Sequence, residues 1–323
     1  MNYIVFDLEW NQSPRGSAGE HPRMPFEIIE IGAVKLDESF EILDEFHTLI
    51  TPHIYPKLHR VIRGMLNYDE KVLKKEGIGF KEACRAFLTW CGEDYQFCTW
   101  GSSDLYFLQN NMDFYYMERL PYPVRYYNVQ QIYADIHTEN HEICKLEKAV
   151  EHLGLAEQEA YHSAISDARY TARVMKAGIP SLGDHYVYDI YRHPKTREEE
   201  IHDLHGGVLD EISSEYASRK AAVEDKNTTL IYCIKCGKPC RDRVSWFQTG
   251  GNSLTAAGKC FLHGYMVSQY KVKNAGNSTD NVFLMKRTYA ADRADVRRLR
   301  EKREQVMARK KIKKRQEYEK KAR

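Results

Sequence analysis

The spacing of apolar and polar positions predicts a strand meander at the start of the chain. Residues 3–10, Y-I-V-F-D-L-E-W, combine strong strand propensity with two acids near the end of the run. Residues 26–36 predict a second strand, and residues 45–50 a third after a turn at 37–39. We expect these three strands to pair in sequence order. A further short apolar strand is predicted over residues 96–100.

Helical spacing replaces the strand pattern in three other places. In residues 80–92, apolar or small side chains recur at three- and four-residue intervals, which predicts a helix facing the core. A second helix is predicted to begin at a serine cap, Ser102 or Ser103. Residues 145–153 predict an amphipathic helix that ends at Gly154. Another helix, which Ser163 or Ser166 could cap, follows through residue 174.

Asp7 and Glu9 are the first candidates for chemistry. Their i, i+2 spacing puts both carboxylates on one face of a strand, about 6.6 Å apart along the backbone. Two adjacent anions at the end of a buried strand repel each other and resist desolvation. A hard divalent cation, Mg²⁺ or Mn²⁺, would relieve that repulsion. Taken alone, the pair is a weak signal and favours two solvated acids at an ordinary strand end.

Later in the chain, three other residues favour the metal-site interpretation: Asp104, His162 and Asp167. Asp104 falls in the first turn of a predicted helix beside a strand end, where it is either a metal ligand or a favourable N-terminal charge. His162 precedes Asp167 by five residues, so an imidazole can lie at the start of a helix that carries a carboxylate. Histidine changes charge near neutral pH, which suits a general base.

The series Asp7-x-Glu9, Asp104 and His162-x₄-Asp167 resembles the three motifs of the DEDDh family of 3′→5′ exonucleases, in order and within residues 1–178. The branch that acts on histone mRNA is the most similar. The resemblance implies an α/β fold: an RNase H-like mixed five-stranded sheet flanked by helices. It also implies hydrolysis from a 3′ end with release of 5′-mononucleotides. The four carboxylates would hold two Mg²⁺ or Mn²⁺ ions, and His162 would be the base.

Leu8 and Trp10 are the candidate substrate contacts. Trp10 is the aromatic residue directly after the acid pair, where it could stack on the terminal base or pack at the rim of the site. Leu8 could wedge against a base or be a buried strand residue.

Composition and length restrict the class of protein further. A chain of 323 residues suggests about two domains. No run approaches the ~18 apolar residues of a membrane span, and the N-terminus lacks a basic flank followed by an apolar stretch. We therefore expect a cytoplasmic protein with no membrane partner. In that compartment eight cysteines predict thiols and metal ligands instead of disulfides.

Two ligand pairs predict a zinc-ribbon module over residues 227–289. Cys233-x₂-Cys236 and Cys260-x₂-His263 are each followed by glycine, which permits a tight turn around one tetrahedral ion. Residues 264–271 and 281–287 could form the hairpin. Four protein ligands leave no open position, so one structural Zn²⁺ is expected. Cys240 is a spare thiol that could replace one of the four.

The remaining segments are a connector and a basic tail. Residues 179–226 lack clear periodicity and predict a partly helical connector. Residues 290–323 contain 15 Lys and Arg against six acids, a net charge of +9, so the other 289 residues carry 2 − 9 = −7. The tail lacks Gly and Pro, which favours helix, and its polarity nearly all round predicts a helix that projects into solvent.

The tail either solubilises the protein or contacts phosphates of structured RNA, with the ribosome or ribosomal RNA as a candidate target. The leading prediction is thus a metal-dependent 3′→5′ exoribonuclease that trims or degrades structured or ribosomal RNA ends. One alternative is a 3′→5′ DNA exonuclease of the proofreading or repair type. Another is a catalytically idle RNA- or ribosome-binding protein, although the complete acid set argues against it.

Overall fold

The computed structural model describes residues 1–66, 68–138, 141–155, 160–276 and 280–321, with the side chains of the last helix described as far as Ile312. The chain divides into two compact units, Met1–Arg192 and His193–Arg323.

The first unit is a mixed sheet covered by helices. Its strands are β1 Asn2–Gln12, β2 Phe26–Leu36, β3 Ile42–Leu49, β4 Tyr95–Thr99, β5 Arg125–Asn128 and β6 Val187–Tyr188. Its helices are α1 Arg60–Met65, α2 Glu70–Glu76, α3 Phe80–Cys91, α4 Ser103–Phe114, α5 Val129–His137, α6 Leu146–His152 and α7 Ala164–Gly178. The strand order is β3-β2-β1-β4-β5-β6. The predicted meander is present, because β1–β2 and β2–β3 are antiparallel, whereas β4 and β5 continue the sheet in parallel.

The predicted fold class is confirmed, with one correction to the strand count. The sheet has a sixth strand, β6, where five were expected. It pairs antiparallel with β5 through only two residues, Val187 and Tyr188. Such a short edge strand gives no detectable period, which is why the sequence pattern places its residues in the connector.

Strand β1 lies inside the sheet and has helices on both faces. Phe6 and Leu8 point towards the core formed with α3 and α4. Val5 points the other way, towards α5 and α7. Asp7 and Glu9 follow Val5 at two-residue intervals and therefore share its face. The acids of β1 are thus directed towards the α7 side of the sheet.

The second unit is built on an antiparallel sheet. Its strands are β7 Ile201–His205, β8 Val208–Ile212, β9 Arg241–Gly250, β10 Ser253–Cys260, β11 Gly264–Asn274 and β12 Val282–Ala291. Its helices are α8 Arg219–Glu224, α9 Lys226–Thr229 and α10 Arg293–Lys321. The strand order is β7-β8-β12-β11-β10-β9. The predicted hairpin exists as β11 and β12, but it is the centre of a six-stranded sheet.

The expected connector does not stand apart from the two units. Its residues 187–188 belong to the first sheet, whereas β7, β8 and α8 belong to the second unit. Strands β7 and β8, I-H-D-L-H and V-L-D-E-I, carry charged and histidine side chains among their apolar ones, which concealed their strand character in the sequence.

The basic tail forms the predicted helix, α10, but does not simply project into solvent. Val296 is buried and packs with Val244, Phe247 and Val267 of the sheet, and Leu299 and Val306 pack against the same cluster. The other side of the helix is highly charged and exposed. A narrow apolar stripe is therefore sufficient to dock this helix. No helix within the described ranges combines the length and the apolar character that a membrane crossing requires.

Candidate active site and metal centre

The register between β1 and β2 places the two acids of β1 opposite particular residues. Asp7 is paired with Gly32, and Glu9 is paired with Glu30. A Cβ atom added at Gly32 would lie 2.1 Å from the backbone nitrogen of Ile165, in the first turn of α7. Only glycine leaves room for this close approach of helix to strand. Gly32 thus allows α7 to bring Asp167 up to the acids of β1.

Three of the four predicted acids meet in one cluster. Carboxylate oxygens of Asp7, Glu9 and Asp167 all lie within 4.8 Å of one another. Asp104, at the start of α4, is buried, and its Oδ1 accepts a hydrogen bond from the Leu8 backbone N–H at 3.2 Å. Leu8, the residue between the two acids of β1, is therefore hydrogen-bonded to Asp104, the fourth predicted acid. The cluster combines residues far apart in the sequence.

Burial is the main cause that raises the pKa of all four predicted acids, and neighbouring negative charges add to it. Burial is the main cause at Asp7, whose pKa is well above its usual range, and the Asp104 and Asp167 charges add to it. Burial, with the charge of Glu30, raises the pKa of Glu9 to about 8. Burial raises the pKa of Asp104 and of Asp167 to about 7. The cluster therefore retains protons near neutral pH unless a cation replaces them.

The donor set fits hard divalent cations. The clustered atoms are carboxylate oxygens, which Mg²⁺ and Mn²⁺ prefer. Oδ1 of Asp167 is also buried without a hydrogen-bond partner within the described structure. Buried acceptors are normally satisfied, so a bound cation would explain this atom. Asp7, Glu9 and Asp167 could hold one ion, with Asp104 positioned beside them.

His162 lies at the start of α7, as predicted, in an unusual backbone conformation. Its φ is 68°, in the left-handed region, and its backbone N–H donates to Asp167 Oδ2 at 3.3 Å. Ser163 occupies the N-cap position, but its hydroxyl donates to Glu30 Oε1 at 3.0 Å and makes no capping bond. Ser102 likewise precedes α4 without a side-chain capping bond. The predicted serine caps are thus correct in position only.

Glu30 is a residue of this site to which the sequence assigned no role. It is completely buried and receives hydrogen bonds from Tyr68 at 2.6 Å and from Ser163, while His47 Nε2 lies 2.9 Å from its Oε1. The only signal in the sequence was an acid inside the apolar run of β2. Glu147 was also missed; its charge contributes to the raised pKa of Asp167.

The two predicted substrate contacts have different environments. Trp10 is half-buried, and its ring lies 4.9 Å from that of Phe107 and 6.2 Å from that of Phe26. Leu8 is only 3% exposed and belongs to the core. Its contact with substrate stays a prediction, and the burial of the side chain argues against it.

The second unit brings the four predicted zinc ligands together. Cys236 Sγ lies 3.8 Å from Cys260 Sγ, and His263 Nδ1 lies 3.5 Å from Cys233 Sγ and 3.7 Å from Cys260 Sγ. Tetrahedral zinc with Zn–S of about 2.3 Å and Zn–N of about 2.0 Å predicts S–S and S–N separations of roughly 3.8 and 3.5 Å. The donor atoms therefore have the spacing that one zinc ion requires.

One thiol of this group, that of Cys260, has the acidity expected of a metal ligand. The backbone N–H of His263, directed at Cys260 Sγ, lowers the pKa of that thiol to about 6, which favours the thiolate. Cys240 is buried nearby but is not a member of the four-residue cluster. A Cβ atom added at Gly258 would lie 2.7 Å from the Cβ of Cys240. Cys240 therefore packs tightly against strand β10, which contains Gly258.

The class of the protein follows from its family. Residues 4–175 match the RNase_T family model, described as exonuclease. The chain belongs to this exonuclease family, which confirms the resemblance found in the motifs. It is thus a nuclease, its substrate is nucleic acid, and its family implies divalent metal cofactors. No curated protein matches the chain.

Several solved structures are similar to about half of the chain. The nuclease domain of 3′hExo, a DEDDh family member bound to rAMP, is 21% identical over 54% of this chain and 90% of that chain, with a TM-score of 0.47. Cell-death related nuclease 4 (CRN-4) is 16% identical over 54% and 62%, with a TM-score of 0.46. E. coli exonuclease I with single-stranded DNA is 11% identical over 55% and 40%, with a TM-score of 0.45.

Proposed function

We propose that the protein is a 3′→5′ exoribonuclease of the DEDDh type that releases 5′-mononucleotides and trims or degrades structured or ribosomal RNA. One observation carries the proposal: carboxylate oxygens of Asp7, Glu9 and Asp167 lie within 4.8 Å of one another, and the buried Oδ1 of Asp167 has no hydrogen-bond partner among the described residues. Carboxylate oxygens are hard ligands, so this cluster beside strand β1 is suited to holding divalent cations against a phosphate.

Each residue of the site has a distinct role in this proposal. Two Mg²⁺ or Mn²⁺ ions, when bound, would neutralise the phosphate and polarise the attacking water and the leaving oxygen. Asp7, Glu9, Asp104 and Asp167 would hold these ions. His162 would accept a proton from the attacking water at a ring nitrogen. Its backbone N–H donates to Asp167 Oδ2 at 3.3 Å, which keeps this residue next to one of the acids.

The preference for RNA rests on two features. The motifs resemble most the branch that acts on histone mRNA, and α10 exposes a series of cations suited to a large structured polyanion such as ribosomal RNA. Exposed members of that series include Arg297, Arg300, Lys302 and Lys310. Replacing Arg297, Arg300 and Lys302 by Gln should weaken binding and reduce its salt dependence, while the packed Val296 stays in place.

The activity can be tested with matched RNA and DNA oligonucleotides labelled at the 5′ end. We expect a ladder of products shortened from the 3′ end with Mg²⁺ or Mn²⁺, no digestion with chelator, and faster loss of RNA than of DNA. Asp167→Asn should abolish the ladder. Glu118→Gln, an exposed acid outside the site, is the control and should retain activity.

Other outcomes of that assay would select another function. Equal or faster digestion of DNA would favour the DNA exonuclease. No digestion of either substrate, with binding retained, would favour the idle binding protein. A product series shortened from the 5′ end would contradict the proposed direction.

We also propose that Cys233, Cys236, Cys260 and His263 hold one structural Zn²⁺ ion. The spacing of their donor atoms supports this. Metal analysis of the purified protein should find one zinc per chain, and Cys236→Ser should lose it.

A further inference from the structure

We call the two ligand pairs, Cys233-x₂-Cys236 and Cys260-x₂-His263, the first and the second knuckle. Two apolar residues project from the second knuckle. Phe261 and Leu262 lie between the ligands Cys260 and His263, and they are 97% and 69% exposed. Among the described residues, Phe261 is the most exposed of the large apolar side chains. Exposure of an aromatic ring contributes nothing to folding, because its apolar surface remains in water. The pair therefore has the character of a contact surface for another molecule.

The backbone around these residues holds them away from the core of the unit. Cys260 and Gly264 are paired at the end of the β10–β11 ladder, so the residues between them form its connecting turn. Gly264 has a φ of +85°, which glycine adopts readily. Cys260 Sγ and His263 Nδ1 lie 3.7 Å apart and close the base of the turn. We call Phe261 and Leu262 the knuckle tip.

Basic side chains accompany the knuckle tip. Lys259 directly precedes the knuckle and is paired with Arg241 of the neighbouring strand. Lys235 and Lys238 are exposed beside the first knuckle. The two knuckles are adjacent, because Cys236 Sγ lies 3.8 Å from Cys260 Sγ. Residues 233–265 contain five Lys and Arg against one acid, so their net charge is 5 − 1 = +4. A partner should therefore carry negative charge as well as an apolar face.

Single-stranded nucleic acid has both properties, because each unpaired base offers a flat apolar face beside a phosphate. We propose that Phe261 stacks on an unpaired base of the nucleic acid, with Leu262 beside it and Lys259 and Arg241 close to the flanking phosphates. This inference rests on the proposed function only in taking nucleic acid as the substrate. It gives the second unit a part in choosing unpaired over paired regions.

The test measures binding by full-length protein in an Asp167→Asn background, so that the probe is not consumed. The probes are a 20-nucleotide single-stranded RNA, a DNA of the same sequence, and the blunt RNA duplex. Stacking on an aromatic side chain is worth an amount that converts to a roughly 5- to 150-fold change in affinity. Phe261→Ala should weaken binding of single strands within that range and leave duplex binding nearly unchanged.

Two further variants separate stacking from general damage. Phe261→Trp should restore single-strand affinity, and its added fluorescence should be quenched when the strand binds. Leu204→Ala removes another exposed apolar side chain of the same unit, 56% exposed, and should bind like the parent protein. Zinc content must be equal in all variants, so that loss of the metal is not mistaken for loss of stacking.

Several results would overturn the proposal. One is unchanged single-strand affinity of Phe261→Ala, and another is an equal loss on the duplex. A third is a parent protein that self-associates through the tip, so that Phe261→Ala changes its oligomeric state but not its RNA binding. If active parent protein digests RNA while Phe261→Ala binds it normally, this inference fails and the proposed function stands. If the parent digests no substrate, the proposed function fails independently.

Discussion

Replacing Glu9 by Gln should stabilise the protein while abolishing its activity. Burial raises the pKa of Glu9 from 4.5 to about 8. At pH 7 the side chain is ionised in the unfolded chain but mostly protonated in the folded one. Folding must therefore protonate a group whose pKa in the unfolded chain lies 7 − 4.5 = 2.5 pH units below the solution pH. At about 1.36 kcal/mol per unit, the cost is about 3 kcal/mol. Gln avoids this cost because it is neutral in both states.

The sign of the effect gives it a characteristic pH dependence. An acid with a raised folded-state pKa stabilises the fold fully below its unfolded pKa, and this stability is lost as the pH rises through the folded pKa. The advantage of Glu9→Gln should therefore vanish near pH 4.5 and grow up to about pH 8. Metal binding opposes it, since a cation present at 100 times its Kd stabilises the wild-type fold by about 2.7 kcal/mol.

Scanning calorimetry at pH 5 and pH 7, in buffer without added Mg²⁺ or Mn²⁺, would measure the difference. For a unit of this size, about 3 kcal/mol corresponds to a rise in Tm of roughly 6–12 °C at pH 7, with little change at pH 5. Glu118→Gln, an exposed acid, should shift Tm at neither pH. The reasoning is refuted if Glu9→Gln does not raise Tm at pH 7, or raises it equally at pH 5.

Three other changes test separate parts of the structure. His162→Ala should slow hydrolysis by about 10²- to 10⁴-fold while RNA affinity is retained; full activity would exclude it as the base. Cys236→Ser should lose the zinc and lower the unfolding temperature of the second unit, whereas Cys240→Ser should keep both, as metal analysis and calorimetry would show. Gly32→Ala forces a Cβ to within 2.1 Å of the Ile165 backbone nitrogen. We expect about 1–3 kcal/mol of destabilisation and loss of nuclease turnover. Normal turnover would show that α7 can shift without harm to the site.

The sequence predicted those elements whose burial dictates their pattern. Strand β2 was predicted with the observed bounds, because both of its faces are covered and its apolar run is nearly continuous. Helix α3 has one buried face and was predicted to within a residue. Strand β5, R-Y-Y-N, is too short to show a period. The docking of α10 was missed because its few apolar side chains are dispersed among charges.

The site was predictable only as far as its chemistry lies in a residue type. Paired acids on a strand indicate a cation only together with Asp104, His162 and Asp167, whereas the spacing of the cysteine and histidine pairs indicates zinc directly. Glu30 carries no such signal, since its partners His47, Tyr68 and Ser163 are 17, 38 and 133 residues away. The close approach at Gly32 was equally invisible, because it depends on how α7 packs.

The hydrogen bonds of the buried acids show which carboxylates are available to a cation. Glu30 lies opposite Glu9, but Tyr68 and Ser163 donate to its two oxygens and His47 lies 2.9 Å from one of them. Both oxygens of this carboxylate already accept hydrogen bonds, so it is poorly suited to bind a metal ion. Asp167, by contrast, has one oxygen that finds no hydrogen-bond partner in the described part of the chain. Since Ser163 directly follows His162, the bonds of Glu30 also hold the backbone that carries the candidate base. Glu30 is thus better suited to positioning the start of α7 than to serving as a fifth ligand.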